Sequence, residues 1–418
     1  MELITAKHVI TIDHDPIADG AVAIDGSTIA AVGTAEKLKT QYPNATIRNF
    51  DNHVLMPGLV NAHAHLDLTH FLGDDSNFVN WLVSMLKYQR GTQMAQLIPA
   101  IQRGMKQVID SGTTCVGDFA SSEATFQLAK EMGIRTVIFP SIAGGPGTLS
   151  QDRYESALAL VEKYLDEHDP TIHAGLGPFA PYLLSRHLLR VTSQHAKELG
   201  VPLMVHATES FSEMEFFFDS QGAIGTELFP SIGWGNDLPP AFRKTPIQYL
   251  NDIGFLDASP TIIGGIHLGA RDFTLLARHM CRVVFCPRAN QLFSHGKFPW
   301  NKLHDNGIPV ALGTEATTQP PDFNLWQEMK TALEGTLSTD TPTAKDLMHM
   351  ATMGGARALG LEHRIGSLTV GKSADVIVVD APQMADAHFL YDALIRQTTP
   401  LHVRLSMVNG HILKNQTP

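Results

Sequence analysis

Short apolar runs recur through the middle of the chain and alternate with stretches patterned at helical spacing. The runs at 113–119, 136–142, 172–178, 202–206, 261–267, 283–286 and 309–314, with the one ending near His63, predict eight strands. Segments such as 157–165 and 188–199 repeat apolar residues every three to four positions and predict the intervening helices. Eight strand-then-helix units predict an α/β protein built as a (β/α)8 TIM-type barrel, with its chemistry at the C-terminal ends of the strands. An open doubly wound sheet is the alternative. It is disfavoured because no Gly-x-Gly-x-x-Gly follows the first strand.

The two ends of the chain are patterned differently. Residues 1–56 hold short β-rich runs (21–24, 28–32, 46–50) broken by Asp-Gly and Pro-Asn turns, which predict antiparallel hairpins. Residues 366–418 repeat that character, with apolar strands at 374–379 and 403–408 and a closing Asn409-Gly410 turn. The expected organisation is a small β-sandwich domain from both termini, 1–56 and 366–418, around a barrel at 57–365.

Composition narrows the class. The chain has 418 residues, 44% hydrophobic and 17% charged, with 31 Lys+Arg against 42 Asp+Glu. No basic block stands out at a net charge of −11, which argues against nucleic acid or an anionic membrane as partner. Cys115, Cys281 and Cys286 form no disulfide framework. The N-terminus lacks a signal-peptide layout and no run of 18 apolar residues occurs, so the expected location is the cytoplasm.

Candidate chemistry gathers at the predicted strand ends. The first strand delivers His63 and His65, two residues apart and therefore on one side of an extended chain. Another ends at His206, followed by Glu209, the next at His267, and the last at Glu315. Each histidine alone is more simply a surface or hydrogen-bonded core residue. Five polar groups at the same end of four strands are hard to explain as packing, so together they point to a metal site.

The motifs Pro57-Gly58-Leu59-Val60-Asn61-Ala62-His63-Ala64-His65, His206-x-x-Glu209, His267, Cys286-Pro287-Arg288-Ala289-Asn290 and Leu312-Gly313-Thr314-Glu315 run almost end to end. They resemble the amidohydrolase superfamily, in the branch of cytosine, guanine and nucleoside deaminases and triazine hydrolases. Trp81-Leu82 with Arg90, and the 286–295 segment, look most like the aminofutalosine and methylthioadenosine/adenosylhomocysteine deaminases.

The resemblance implies one divalent metal, zinc first with iron or manganese as alternatives, on His63, His65, His206 and Glu315. It implies Glu209 as proton shuttle, His267 as polarising group and Glu315 as acceptor of a proton from water. Trp81, Arg90, Phe179 and Arg288 would meet a small-molecule substrate, an aminated ring that loses ammonia. The absence of lysine at 172–179 disfavours a two-metal site.

Two departures stand out. Glu315-Ala316 replaces the family's Asp-Ser, and Phe179 replaces a pocket histidine, which puts a ribose-bearing substrate in doubt. Loss of chloride or an amine from a ring, or a low-activity or non-catalytic relative, are the other readings. The long 211–259 segment is expected to be a lid or substrate loop, its Phe216-Phe217-Phe218 triplet being equally ordinary core or a homodimer contact.

Overall fold

The computed structural model describes residues 1–74, 76–144, 149–234, 238–316, 322–334, 341–383 and 389–416. Strands β1 (Glu2–Val9), β2 (Ile17–Asp25), β3 (Thr28–Thr34) and β4 (Thr46–Pro57) come first, followed by β5 (Leu59–Ala64), β6 (Thr113–Ala120), β7 (Arg135–Ile142), β8 (Ile172–Ala174) and β9 (Gly177–Pro178). Then come β10 (Met204–Ala207), β11 (Thr261–Gly264), β12 (Arg282–Phe285), β13 (Val310–Leu312), β14 (Val376–Asp380), β15 (Val403–Val408) and β16 (His411–Asn415).

All eight strands predicted for the middle of the chain are present. β5-β6-β7-β8 and β10-β11-β12-β13 are two parallel sheets. Single parallel bridges, Leu176 to Leu203 and Ala64 to Glu315, join the sheets at both edges. The eight strands therefore run round a ring, consistent with a TIM-type fold. The second bridge brings the end of the last strand beside the end of the first, which is where the candidate ligands lie.

The termini meet in one seven-stranded sheet of order β16-β15-β14-β4-β1-β2-β3. Alternate residues from both chain ends, among them Ile4, Val22, Leu55, Val376 and Leu405, bury one apolar cluster. The expected hairpins are there, but β1 and β4 pair in parallel, because β2, β3 and the helix Ala35–Gln41 return the chain to the same end. β4 then continues through Gly58 into β5, so the terminal sheet feeds the first ring strand directly.

A buried ion pair ties the two parts together. Arg135 at the start of β7 donates from Nε and Nη2 to the two carboxylate oxygens of Asp375, at 2.7 and 2.9 Å. Its remaining donors reach Pro170 O and Ser373 Oγ. A guanidinium so fully paired is tolerated in the interior, whereas removal of one partner would strand a buried charge.

Among its described residues the 211–259 segment combines helices with an irregular stretch at 238–245. It contains Phe211–Asp219, Pro246–Asp252 and shorter turns. Phe216 and Phe217 are buried against Phe229, Phe242 and Tyr249, while Phe218 is exposed, so two of the three phenylalanines are core. Trp234 packs edge-on to Phe229, and Gly235 lies outside the described residues.

Candidate metal centre

His63 lies near the end of β5 and His65 just past it, where the alternation of side chains puts both rings on the inside of the ring of strands. The ring nitrogens of His63, His65 and His206 and a carboxylate oxygen of Glu315 all lie within 4.8 Å of one another, and all four residues are buried. Glu315 faces two of them at once: Oε2 lies 2.6 Å from His63 Nε2 and Oε1 3.0 Å from His65 Nε2. These contacts lack hydrogen-bond geometry: among the described residues no nitrogen of these three rings and neither oxygen of Glu315 makes a hydrogen bond. Four such side chains aimed at one point fit a divalent ion of the kind bound by imidazole and carboxylate.

Local backbone geometry explains how Glu315 reaches. Its φ is +51°, and its N–H, like that of Thr314, donates to His63 O, at 3.2 and 2.8 Å. Asn61 Nδ2 donates to Thr314 Oγ1 at 2.8 Å, fixing the turn from the β5 side. Gly313 precedes it because a Cβ there would come within 3.0 Å of His63 Cβ and of Cys286 Sγ. The left-handed turn swings the longer carboxylate back over β5. Glu315→Asp keeps the charge but shortens the reach by one methylene, and a displacement of about 1 Å costs on the order of 10²-fold in rate. Turnover is expected to fall ten- to hundredfold. A tenfold rise, measured on the same substrate, would mark the native glutamate as an impairment.

The ionisation states follow from burial and this shared carboxylate. Burial opposes the charge on Glu315, but the facing imidazoles outweigh it and hold the carboxyl well below its usual range. Burial pulls His63 down to about 4 despite Glu315. His65 suffers the same desolvation, but Glu315, Asp67 and Asp118 together raise it to about 9. Asp118, buried beside Asp67, is itself pushed up to about 7 while it accepts the Leu66 N–H at 2.8 Å.

Glu209 sits beside this cluster, with Oε2 3.4 Å from His206 Nδ1. Its backbone N–H donates to Glu213 Oε2 at 3.0 Å, and Ser210 Oγ caps the following helix by accepting from Glu213 N. Burial pushes Glu213 up to about 8. On the other side Gly264, at φ +98°, makes room: a Cβ there would meet Glu209 Cβ at 2.8 Å. Thr208 O accepts from both Ile266 N and His267 N, at 2.9 Å each, which knits the two strand-end loops together.

His267 therefore stands three residues beyond the end of β11, not on the strand. It is half-buried, with Nε2 unpaired, and burial lowers its pKa. It lies outside the four-ligand cluster.

A small cavity of about 10 Å³ adjoins the cluster, lined by Phe78, Trp81, Phe179, His206, Glu209, Ala289, Phe293 and Glu315. That is room for about one water. Trp81 and Phe179 line this cavity. Arg90 lines a separate cavity of about 270 Å³ with Arg153 and donates to Gly144 O at 3.2 Å. Arg288 does not line the small cavity. Its Nε donates to Glu328 at 2.5 Å and its Nη1 to Asp322 at 3.1 Å, because buried Glu328 is a stronger attractor than an apolar cavity. Arg288 braces the helix Pro287–Leu292 and the helix Leu325–Glu334.

Several residues escaped the sequence reading. Phe78 and Phe293 close the cavity, with ring centroids 5.8 Å apart, and His295 lies edge-on to Phe78 at 5.0 Å. Phe293 and His295 end the 286–295 motif, which was the available signal. Glu213 and Phe119 carried none.

Comparison with known proteins agrees with this geometry. The amidohydrolase family profile matches residues 54–413, and a bacterial imidazolonepropionase-like composite domain matches 20–45. The chain is 30% identical to a 5-methylthioadenosine/S-adenosylhomocysteine deaminase of Syntrophobacter fumaroxidans, covering 97% of this chain and 91% of the relative. It is 28% identical to the aminodeoxyfutalosine deaminase of Deinococcus radiodurans, over 82% and 81% of the two chains. The crystal structure of Helicobacter pylori aminofutalosine deaminase with methylthio-coformycin shares the fold, with a TM-score of 0.86 at 22% identity, covering 99% and 100%.

Proposed function

Because the chain belongs to the amidohydrolase family, we propose that it is a mononuclear metal-dependent hydrolase that removes an amino group from a heterocycle and releases ammonia. The observation that carries the reading is the convergence of four buried ligand side chains beside Glu209, a carboxylate outside the cluster. In the same reading residues 57–365 form a (β/α)8 barrel and 1–56 with 366–418 a small β-sandwich, supported by the closed ring of parallel strands and the shared terminal sheet.

His63, His65, His206 and Glu315 would hold one divalent ion, zinc first, with iron or manganese as alternatives. When bound, such an ion supplies Lewis acidity, which brings the pKa of a water down towards neutrality. Glu315 accepts the proton that the attacking water gives up. Glu209 gives a proton to a ring nitrogen, regains one from the hydroxyl left on the carbon and passes that one to the departing amine, as its place on the cavity wall allows; the proton held by Glu315 then restores Glu209. Held neutral by burial, His267 polarises the oxygen as it bonds to the amine-bearing carbon. The C–N bond then breaks and ammonia leaves.

The aromatic lining favours a planar, largely apolar ring, and the deaminase relatives favour a nucleoside-like one. Phe179 offers no hydrogen bond to a sugar. Three free, buried cysteines suit a cytoplasmic enzyme, and no described helix is long and apolar enough to cross a membrane.

The test is product release by the metal-loaded protein across purine nucleosides, pterins and triazines. Ammonia from at least one amino-substituted ring is expected. Chloride or alkylamine in its place would change the leaving group. No turnover of any member would favour a non-catalytic relative.

A further inference from the structure

Ligand histidines are ordinarily held by a hydrogen bond from the ring nitrogen that does not face the metal, given to a carboxylate, a carbonyl or water. That support is missing here: among the described residues Nδ1 of His63 and of His65 has no hydrogen-bond partner, although both rings are fully buried. Asp67 and Asp118 lie near His65 without a hydrogen bond to its ring, and the rest of the surroundings is aromatic. Phe119 lies edge-to-face with His63 at 5.1 Å and with His206 at 5.7 Å, and 5.9 Å from His65. Phe179 stacks on His206, with centroids 4.8 Å apart and planes 20° from parallel, and lies 6.1 Å from His65. The two phenylalanines are themselves perpendicular to each other at 6.3 Å.

The sequence makes room for this wall. Phe119 stacks in turn on Phe139, and the small residues of the neighbouring strand leave them space. A Cβ on Gly175 would meet Phe139 Cε1 at 2.4 Å, and one on Gly177 would meet Phe119 Cε1 at 3.1 Å. Aromatic pairs in these geometries contribute about 0.5–1.5 kcal/mol beyond area burial, and they restrict ring rotation as a hydrogen bond would.

We propose that Phe119 and Phe179 are positioning residues for the metal, fixing the orientation of the ligand histidine rings by aromatic packing where no outer-shell hydrogen bond supports His63 and His65. Phe179 in this account serves the ion as well as bordering the cavity, which gives a reason for an apolar residue at that position. The inference rests on the metal reading above.

Zinc affinity, measured by competition with a chelator of known affinity, tests it without a substrate. Phe179→Leu and Phe119→Leu remove the ring but keep an apolar side chain, and Phe179→Tyr keeps the ring. Loss of outer-shell support costs about 10- to 100-fold in metal affinity. Each leucine variant should weaken zinc by that factor and shift the visible absorption of the cobalt-substituted protein, while the melting temperature of the metal-free protein shows it folded. Phe179→Tyr should bind as the unsubstituted protein does. A folded leucine variant within twofold of the unsubstituted affinity overturns the proposal, and so does a tyrosine variant as weak as Phe179→Leu. Two leucine positions guard against one failing to fold. If the unsubstituted protein binds neither zinc nor cobalt, it is the metal reading that fails.

Discussion

Glu209→Gln should leave the metal content unchanged and lower turnover by about 10² to 10⁴, the usual worth of general acid–base assistance. The substitution preserves shape and removes only the titratable proton. The loop that carries Glu209 should hold, because Glu213 accepts from its backbone N–H and not from its side chain. The space for its Cβ is set by Gly264, which the change does not touch. Its side chain lies within 3.4 Å of a ligand histidine but outside the four-ligand cluster, so loss of the proton and loss of the metal are separable. Elemental analysis with steady-state rates of ammonia release distinguishes them. If the metal leaves with the proton, Glu209 is a ligand.

The other large effect is expected at His206. His206→Ala removes one of three imidazoles from a site with a single carboxylate, and metal content should drop from about one ion per chain to almost none. The melting temperature reports this independently of activity. A ligand that binds only the folded state stabilises it by about 2.7 kcal/mol at a hundred times its dissociation constant. Added zinc should therefore raise the melting temperature of the metal-free unsubstituted protein and leave that of His206→Ala where it was. Two ions per chain in the unsubstituted protein would contradict the mononuclear assignment. So would full zinc retention by the variant.

Much of this was legible in the order of residues. Side chains two apart on a strand share a side, so His63 and His65 could be paired before any fold was known, and the apolar run before them marked the strand end. The eight strands were legible for the same reason: a period of two, or a short apolar run closed by glycine, is a local property. The matching β-rich ends announced a shared sheet.

What the residue order could not carry is which distant side chains meet. Glu315 is 250 positions from His65. Only closure of the ring, with the bridge from Ala64 to Glu315 and a left-handed turn, puts both its oxygens onto His63 and His65. Arg288 looked free for a substrate, but a buried carboxylate 40 residues on claims it, because a desolvated Glu328 needs that charge more than an apolar cavity does. Phe78 and Trp81 meet Phe293 across more than 200 residues to close the cavity. Phe119 read as an ordinary strand residue and Phe179 as a substrate contact until β6 and the chain just past β9 set their rings against the ligands. Strand register and side-chain alternation are local and travel with the sequence. Ring closure, ion-pair choice and aromatic contact are decided by which surfaces compete for burial, and that competition exists only in the folded chain.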